Sequence, residues 1–411
     1  MIAPGPVGST TIRSPAGHAL TYEETERRLA RVLTRVPITR VYDATPLDWL
    51  GLPVWAAVTP LAVDLTVHAG KGLTPVAARI SAVMEAIERV SAESVDDEGR
   101  IRGATFTELR HAGALDPELF GLPCDSGYRA DRPLSWIGGH DLLTGRDVFV
   151  ALDLVLSPAR EGICSGVETN GLAAGNHRTE AVLHALHEVV ERDALAHNRF
   201  ARLYADGARQ PAVRVIDRAT LPVDASTWVR ALHDRGLRIV IQDLSHDLRV
   251  PVFRATIYDN AFPGREGRAT TFEGLGADLD PAWAVSRAIC EAVQSHTVLV
   301  VGARDSVEDG GDHVRLDKRA FLNRLSTASM TLPFTADAGD LPDDLEGRLR
   351  MLLDRVAAAG IEHCVIVDLT RADLGIPVVR VLVPGLAGPF GNTTRRPPQR
   401  RLRLRSQPPP L

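Results

Sequence analysis

Three segments of the chain carry the same pattern of acidic residues at equal spacing. Glu85, Glu188 and Glu291 follow one another at intervals of 103 residues, and each is followed three positions later by a second acid or, in the third segment, by an amide. Alanines precede the acids at matching positions, and a glycine-bearing segment comes before each repeat. A period of this length is too long for a solenoid. We therefore expect three sheet-plus-helix units that pack around a shared centre.

Hydrophobic periodicity places the acids on helices. Helices are predicted at 22–36, 75–93, 178–200, 281–301 and 345–359. β-Branched runs bounded by Gly, Pro or Asp predict strands at 52–58, 62–67, 147–156, 237–242, 250–258, 363–369 and 378–383. The glycine-bearing segments before the acidic helices are predicted to be loops. The expected fold class is α+β.

Acids three residues apart lie on one face of a helix. The three faces together carry five carboxylates and one amide: Glu85, Glu88, Glu188, Glu191, Glu291 and Gln294. Converging carboxylates raise one another's pKa unless a cation neutralises them. Oxygen-rich clusters suit Mg²⁺, which typically also binds substrate phosphates, and glycine loops before helices offer N–H groups to phosphate. This combination predicts a site for Mg²⁺ and a nucleotide.

Other interpretations of the same helices stay open. Acids at this spacing also form solvated faces or ion pairs, and Arg89 and Arg192 adjoin them. His184 and His187 share a face with the acids of the second helix, as in di-iron or di-manganese bundles, although the usual Glu-x-x-His step is missing. The segment around Lys71 lacks the spacing of a Walker A motif.

Composition excludes several classes of protein. The 47 Lys and Arg residues against 52 Asp and Glu give a net charge of −5, so nucleic acid is not expected as the main partner. The four cysteines form no CxxC pair, which excludes a zinc ribbon and fits a reducing cytoplasm. The first twenty residues do not resemble a signal peptide, and no apolar run has the length of a membrane span. A cytoplasmic protein without a membrane partner is expected.

Three motifs resemble the signatures of the YcaO family. The first is Gly-Lys-Gly-Leu-Thr at 70–74 leading into the acidic helix, and the second is Thr-Asn-Gly-Leu-Ala-Ala-Gly-Asn at 169–176 with the acids that follow. The third is Gly-Leu-Gly-Ala at 274–277 followed by Glu291 and Gln294. The resemblance covers roughly residues 45–390. It implies a YcaO-type fold with three pseudo-repeated units around a central ATP and Mg²⁺ site, and ATP-dependent phosphorylation of a peptide amide oxygen.

The resemblance also implies roles for individual residues. The family's magnesium-binding acids match Glu85, Glu88, Glu188, Glu191 and Glu291. Positions around the nucleotide match Lys71, Ser81, Asn170, Asn176 and Glu180. Arg192 matches a phosphate-contacting arginine and, with Gln294, is assigned to catalysis. His296 stands where members often carry arginine, a contact that Arg304 could replace.

The segment Asp48–Trp55 resembles YcaO proteins that work with a TfuA partner in peptide thioamidation. A thioamide product is therefore expected, with an azoline-forming cyclodehydratase, another amide activation such as amidine formation, or a catalytically degenerate peptide-binding scaffold as alternatives. Expected partners are a precursor peptide and a TfuA-like or leader-binding protein, and the family resemblance favours a homodimer. The predicted domains are an N-terminal extension (1–44), the YcaO domain (45–390) and a basic, proline-rich tail (391–411).

Overall fold

The computed structural model of the protein describes most of the chain. The described residues are 10–14, 17–93, 95, 100–123, 125–164, 167–204, 212–259, 271–302, 329–335 and 339–386. Their helices are α1 Tyr22–Val32, α2 Pro75–Ala92, α3 Phe106–Leu109, α4 Arg178–Tyr204, α5 Val223–Asp234, α6 Pro281–Val301 and α7 Leu345–Ala358. The predicted tail at 391–411 lies outside the described residues.

The described strands form three sheets. They are β1 Arg40–Asp43, β2 Val54–Val58, β3 Val67–Lys71, β4 Arg100–Ala104, β5 Leu134–Asp141, β6 Arg146–Ala151, β7 Leu172–Ala174, β8 Val213–Ile216, β9 Leu237–Asp243, β10 Val252–Asp259, β11 Thr271–Ala277, β12 Ser329–Leu332, β13 Val365–Asp368 and β14 Val378–Leu382. The strand orders are β1-β2-β3, β11-β10-β9-β8-β12 and β4-β5-β13-β14-β7, with β6 paired to β5. The α+β class is confirmed.

The acidic helices begin where local sequence signals place them. The Thr74 side chain caps α2 by accepting a hydrogen bond from the Ala77 N–H, and Pro75 occupies the first turn. Asp280 caps α6 in the same way, again with a proline in the first turn, and Gly302 ends that helix in the left-handed conformation. Such side-chain caps satisfy N–H groups that have no partner within the helix.

The glycine-bearing segments differ from the prediction. Gly70 and Gly276 lie in strands β3 and β11 rather than in loops. A Cβ on Gly70 would collide with the α2 backbone at Ala78 and Ala82, and one on Gly276 would collide with the α6 backbone. These glycines let a strand cross directly against a helix, so close packing explains them better than phosphate binding does.

The acidic helices and the strands before them contact one another in a closed order. Helix α2 packs on β3 and β7, α4 packs on β7 and β11, and α6 packs on β11 and β3. Each helix thus lies against its own strand and against the strand of another acidic helix. We call this set of contacts the helix ring. It turns three segments that are distant in sequence towards one another.

Two strand predictions were wrong in detail. The segment at 62–67 connects β2 to β3, because the chain turns where the Ala62 N–H donates to the Thr59 carbonyl at 3.0 Å. Its Asp64 carboxylate pairs with Arg89. The strand predicted at 147–156 ends at Ala151 and continues as a short 3₁₀ turn. Strand β3 shares only Val67 with the strand predicted at 62–67, and helices α3 and α5 and seven described strands had no prediction. One of them, β1, lies within the predicted N-terminal extension yet pairs with β2.

Candidate metal and nucleotide site

The helix ring brings the predicted metal-binding acids within electrostatic range of one another. Burial raises the pKa of Glu88, and the charges of Glu85 and Glu188 raise it further. Glu88 and Glu191 are only 8% and 3% exposed. Carboxylates with so little access to water are stable only when protonated or neutralised by a cation. The sequence prediction that acids of three helices meet agrees with this arrangement.

We call Glu85, Glu88, Glu188, Glu191 and Glu291 the acidic cluster, and Glu188 interacts electrostatically with all the others. Burial raises its pKa to about 7, with further contributions from Glu191, Glu85 and Glu291, whereas Arg192 opposes the shift. The Arg192 guanidinium lies 3.6 Å from both Glu188 and Glu191, which is ion-pair distance without close hydrogen bonding. One arginine therefore leaves this part of the cluster incompletely neutralised.

The carboxylates do not form a closed cage. Among the residues that the structure describes, no three His, Cys, Asp or Glu side chains have the geometry of one metal-ligand set. Mg²⁺ sites in nucleotide-binding enzymes commonly use one or two carboxylates per ion and complete the shell with phosphates and water. The raised pKa values of Glu88, Glu188 and Glu191 fit Mg²⁺ bound in this open manner.

The di-iron or di-manganese alternative is not supported by the surroundings of His184. The Arg287 guanidinium lies 3.2 Å from its Nδ1. Burial and the charge of Arg287 hold the pKa of His184 well below its ordinary value. A fixed positive charge at the ring nitrogen disfavours a metal cation at the same atom. The signal for Arg287 was present in the sequence, because it lies four residues before Glu291 on α6.

Lys71 supplies a counter-charge at Glu291. Its Nζ contacts the Glu291 carboxylate directly. Burial pushes the pKa of Glu291 upward, but Lys71 and Arg192 outweigh burial and hold that pKa below its ordinary value. The Lys71 N–H donates to Ser81 Oγ at 3.3 Å, and the Gln294 amide donates to the Ala69 carbonyl. In this structure, Ser81 and Gln294 therefore hold the strand that carries Lys71.

Asn176 and Glu180, both predicted to contact the nucleotide, pack against the N-terminal segment. The Glu180 carboxylate accepts hydrogen bonds from the Ala19 N–H at 2.8 Å and the Asn176 N–H at 3.2 Å, and lies 3.1 Å from His18 Nδ1. Burial raises the pKa of Glu180, but these partners, His18 foremost, lower it overall. Asn176 Oδ1 is buried without a hydrogen-bond partner among the described residues. It is an available acceptor for a ligand.

Asn170 lies apart from Asn176. It lines a cleft together with Glu168 and Arg380, and its Oδ1 is also buried without a partner among the described residues. Sequence reasoning missed Arg380, because nothing in its own segment distinguishes it from an ordinary residue of a β-strand.

His296, the departure from the family pattern, has a defined contact. Its Nδ1 lies 2.8 Å from Asp48, and the Thr297 hydroxyl donates to the same carboxylate at 2.6 Å. Asp48 belongs to the segment that resembles TfuA-associated proteins. The side chain thus joins α6 to that segment. Arg304, the suggested replacement, lies outside the described residues.

Comparison with known proteins decides the family. The model of the YcaO cyclodehydratase family, described as ATP- and Mg²⁺-binding, matches residues 69–387. The chain belongs to the YcaO family. It is thus an ATP- and Mg²⁺-binding enzyme of that family. None of the helices in the described ranges is long and apolar enough to span a membrane.

Three individual relatives extend the match. A Methanothermobacter thermautotrophicus protein is 34% identical over 88% of this chain and 93% of its own length. A Rhizobium leguminosarum bv. trifolii protein, described as lying in the tfuA 3′ region, is 32% identical over 91% of both chains. The structure of YcaO from Methanopyrus kandleri bound with AMPPCP and Mg²⁺ has a TM-score of 0.73, at 27% identity over 92% of this chain and 95% of that chain.

Proposed function

We propose that the enzyme phosphorylates the oxygen of a peptide backbone amide with ATP, and so prepares the amide carbon for attack by a second nucleophile. The observation that carries this proposal is the acidic cluster, which has a lysine at one end and is incompletely neutralised at the other. An amide oxygen is a poor leaving group, and its phosphorylation turns it into a good one. Such transfers depend on positioning and charge stabilisation more than on an enzyme nucleophile.

The residues divide into four roles in this proposal. Glu85, Glu88, Glu188, Glu191 and Glu291 would hold Mg²⁺, which supplies Lewis-acid stabilisation of phosphate charge when bound. Lys71 and Arg192 place positive charge beside these acids, where the transferred phosphoryl group accumulates negative charge. Ser81 and Gln294 position Lys71, while Asn176 and Glu180 contact the nucleotide.

We also propose that three repeated sheet-plus-helix units build the site. The equal 103-residue spacing of Glu85, Glu188 and Glu291 supports this description. The closed order of contacts in the helix ring supports it as well. Equivalent helix positions would then face one centre, which explains why acids recur at the same step in each unit.

For the product, we propose a thioamide formed with a TfuA-like partner that supplies or delivers sulfur. The location of the Rhizobium relative in the tfuA 3′ region supports this branch, as does the segment around Asp48. The family description as a cyclodehydratase favours an azoline as the second candidate. In that case a Cys, Ser or Thr side chain of the peptide is the nucleophile.

A thermal-shift titration with ATP, with and without Mg²⁺, tests the proposal. A ligand present at about 100 times its dissociation constant stabilises the folded state by about 2.7 kcal/mol. We expect a shift that requires both ATP and Mg²⁺. No response to this combination, together with a shift from Fe²⁺ or Mn²⁺ alone, would overturn the amide-activation proposal.

Phosphate release with peptide and partner separates the two products. A peptide that stimulates release in the presence of a sulfur-delivering partner should exchange one oxygen for sulfur, as seen by mass spectrometry. Loss of one water from the peptide without added sulfur would instead identify an azoline-forming enzyme.

A further inference from the structure

A cleft of about 620 Å³, including its solvent-filled mouth, lies beside the acidic cluster. Its wall includes Val189, the residue after Glu188 on α4, so the cleft adjoins the cluster at that helix. The remaining apolar wall comes from two short 3₁₀ segments with the residues beside them, from β14, and from the residues that follow β14. Its members are Phe120, Leu122, Leu154, Val381, Leu382, Val383 and Leu386. The polar members include Arg380, Glu168 and Asn170.

Arg380 is the unusual member of this wall. It sits within the six-stranded sheet, opposite Leu172 of β7, and is 2% exposed. Its Nη2 donates to the Glu168 carbonyl at 2.8 Å. No residue in the described part of the chain accepts a hydrogen bond from its Nε or Nη1. Leaving a buried charged group without partners is costly, so a ligand that accepts hydrogen bonds is the expected complement.

The charges around the cleft argue against an anion as that ligand. Burial lowers the pKa of Arg380, while the charges of Glu168 and Glu188 oppose this shift. The Asp153 carboxylate is a further negative group in the wall, where it accepts three backbone hydrogen bonds, from Arg160, Glu161 and Ile163. These carboxylates would repel an anionic ligand, but they would not repel a neutral one.

Asn170 provides the complementary half of the site. Its Oδ1 is an unused acceptor in the same wall that holds the unused donors of Arg380. A peptide unit carries one acceptor, its C=O, and one donor, its N–H. The apolar wall fits the remainder of such a ligand.

We propose that this cleft binds the peptide substrate next to the reacting amide, with Arg380 donating to a backbone carbonyl, Asn170 accepting from a backbone N–H, and the apolar wall holding an aliphatic side chain. This inference rests on the proposed function and names where its substrate lies. Asn170, which the family resemblance placed near the nucleotide, is thereby assigned to the peptide substrate. The carbonyl held by Arg380 flanks the one that is phosphorylated, because a guanidinium bonded to the attacking oxygen would reduce its nucleophilicity.

Methyl NMR of the full-length chain tests the cleft with a single capped residue, N-acetyl-leucine N′-methylamide, which carries two amide groups. We expect concentration-dependent shifts at the methyl groups of Leu122, Val189 and Val383. Arg380→Met should weaken the affinity at least about tenfold, and Asn170→Ala should weaken it several-fold. The second variant keeps the test decisive if the first does not fold.

Arg254→Met is the matched control, because Arg254 is a largely buried arginine of β10 in another sheet and is bonded to Gln242. It should bind the probe as the wild type does. Unchanged affinity in Arg380→Met, or shifts outside the cleft, would overturn the proposal. Tighter binding of inorganic phosphate at the same methyl groups would identify an anion site instead. The ATP and Mg²⁺ titration of the wild type is independent of these outcomes, so failure of the proposed function is seen separately.

Discussion

The two ends of the acidic cluster differ in how their charge is neutralised. At the Lys71 end, Glu291 contacts a lysine, and its pKa lies below the ordinary value. At the Glu188 end, burial and neighbouring acids hold the pKa of Glu188 at about 7. The chain thus neutralises Glu291 by direct contact with Lys71, whereas the Arg192 guanidinium, 3.6 Å from Glu188, neutralises that end incompletely and leaves a place for an external cation. The requirement for Mg²⁺ should be concentrated at the Glu188 end.

Glu188→Gln tests whether the Glu188 end of the acidic cluster is the end that depends on Mg²⁺. Loss of this central carboxylate removes both metal affinity and charge stabilisation, so we expect ATP-driven phosphate release to fall roughly a thousandfold, equivalent to about 4 kcal/mol. Release of inorganic phosphate is the measurement. Glu362→Gln, at an exposed position, is the control and should retain activity. Wild-type rates in Glu188→Gln would show that the metal site lies elsewhere.

Lys71→Met should destabilise the opposite end of the acidic cluster even when no metal ion is present. Removing one partner of a largely buried ion pair leaves Glu291 without its counter-charge, at a cost of roughly 3 kcal/mol in the free energy of unfolding. The pKa of Glu291 should rise at the same time. Urea denaturation in the presence of a chelator measures the loss, and Lys71→Arg should recover part of it. If Lys71→Met were as stable as the wild type, the two ends would not differ in the way described.

The pH dependence of stability separates the ends further. Because the pKa of Glu188 is raised from 4.5 to about 7, the folded state holds a proton that the unfolded state releases. The contribution of Glu188 to stability should therefore fall as pH rises from about 4.5 to 7, by roughly 2 kcal/mol after allowance for partial exposure, and then level off.

Glu188→Gln lacks this titration, so the stability difference between it and the wild type should follow the same curve. Denaturant unfolding in a chelator gives both curves, and Mg²⁺ with ATP should flatten that of the wild type. Parallel curves for the two proteins would contradict the assignment of the titration to Glu188.

Glu85→Gln should give the smallest change in the free energy of unfolding among these variants. Glu85 is partly exposed and paired with Arg89 at 2.9 Å, so the variant loses a weak ion pair while relieving repulsion on Glu88. We expect a change below about 0.5 kcal/mol in the free energy of unfolding. The pKa of Glu88 should fall, which carboxyl NMR can measure. A large loss of stability would place Glu85 in the structural framework rather than at the edge of the metal site.

Local and periodic signals predicted the parts of the fold that depend on them. Hydrophobic periodicity placed the start of α2 at Pro75, which is the observed first residue, and the repeated acids predicted which helix faces would meet. The class of the fold followed from the same pattern. By contrast, α5 was missed, and Gly70 was assigned to a loop because a glycine in a strand needs the helix beneath it to explain its presence.

Contacts between distant segments account for the rest of the site. Ala19 meets Glu180 across 161 residues, and Arg380 reaches the Glu168 carbonyl across 212 residues. No periodicity within one segment encodes such pairs, because they depend on how the three sheets are placed. Arg287 is different, since its position one helical turn before Glu291 could have drawn attention to it.

The helix ring closes late during synthesis of the chain. Glu85 is made 206 residues before Glu291, an interval of roughly 10 to 40 s at usual rates of translation. During that time Lys71 has no carboxylate of α6 to contact, and β3 packs against α2 but not yet against α6. A nascent chain therefore cannot present the full set of acids to a nucleotide. Capture of ATP and Mg²⁺ should begin only after α6 has left the ribosome, so nucleotide binding would distinguish finished chains from growing ones.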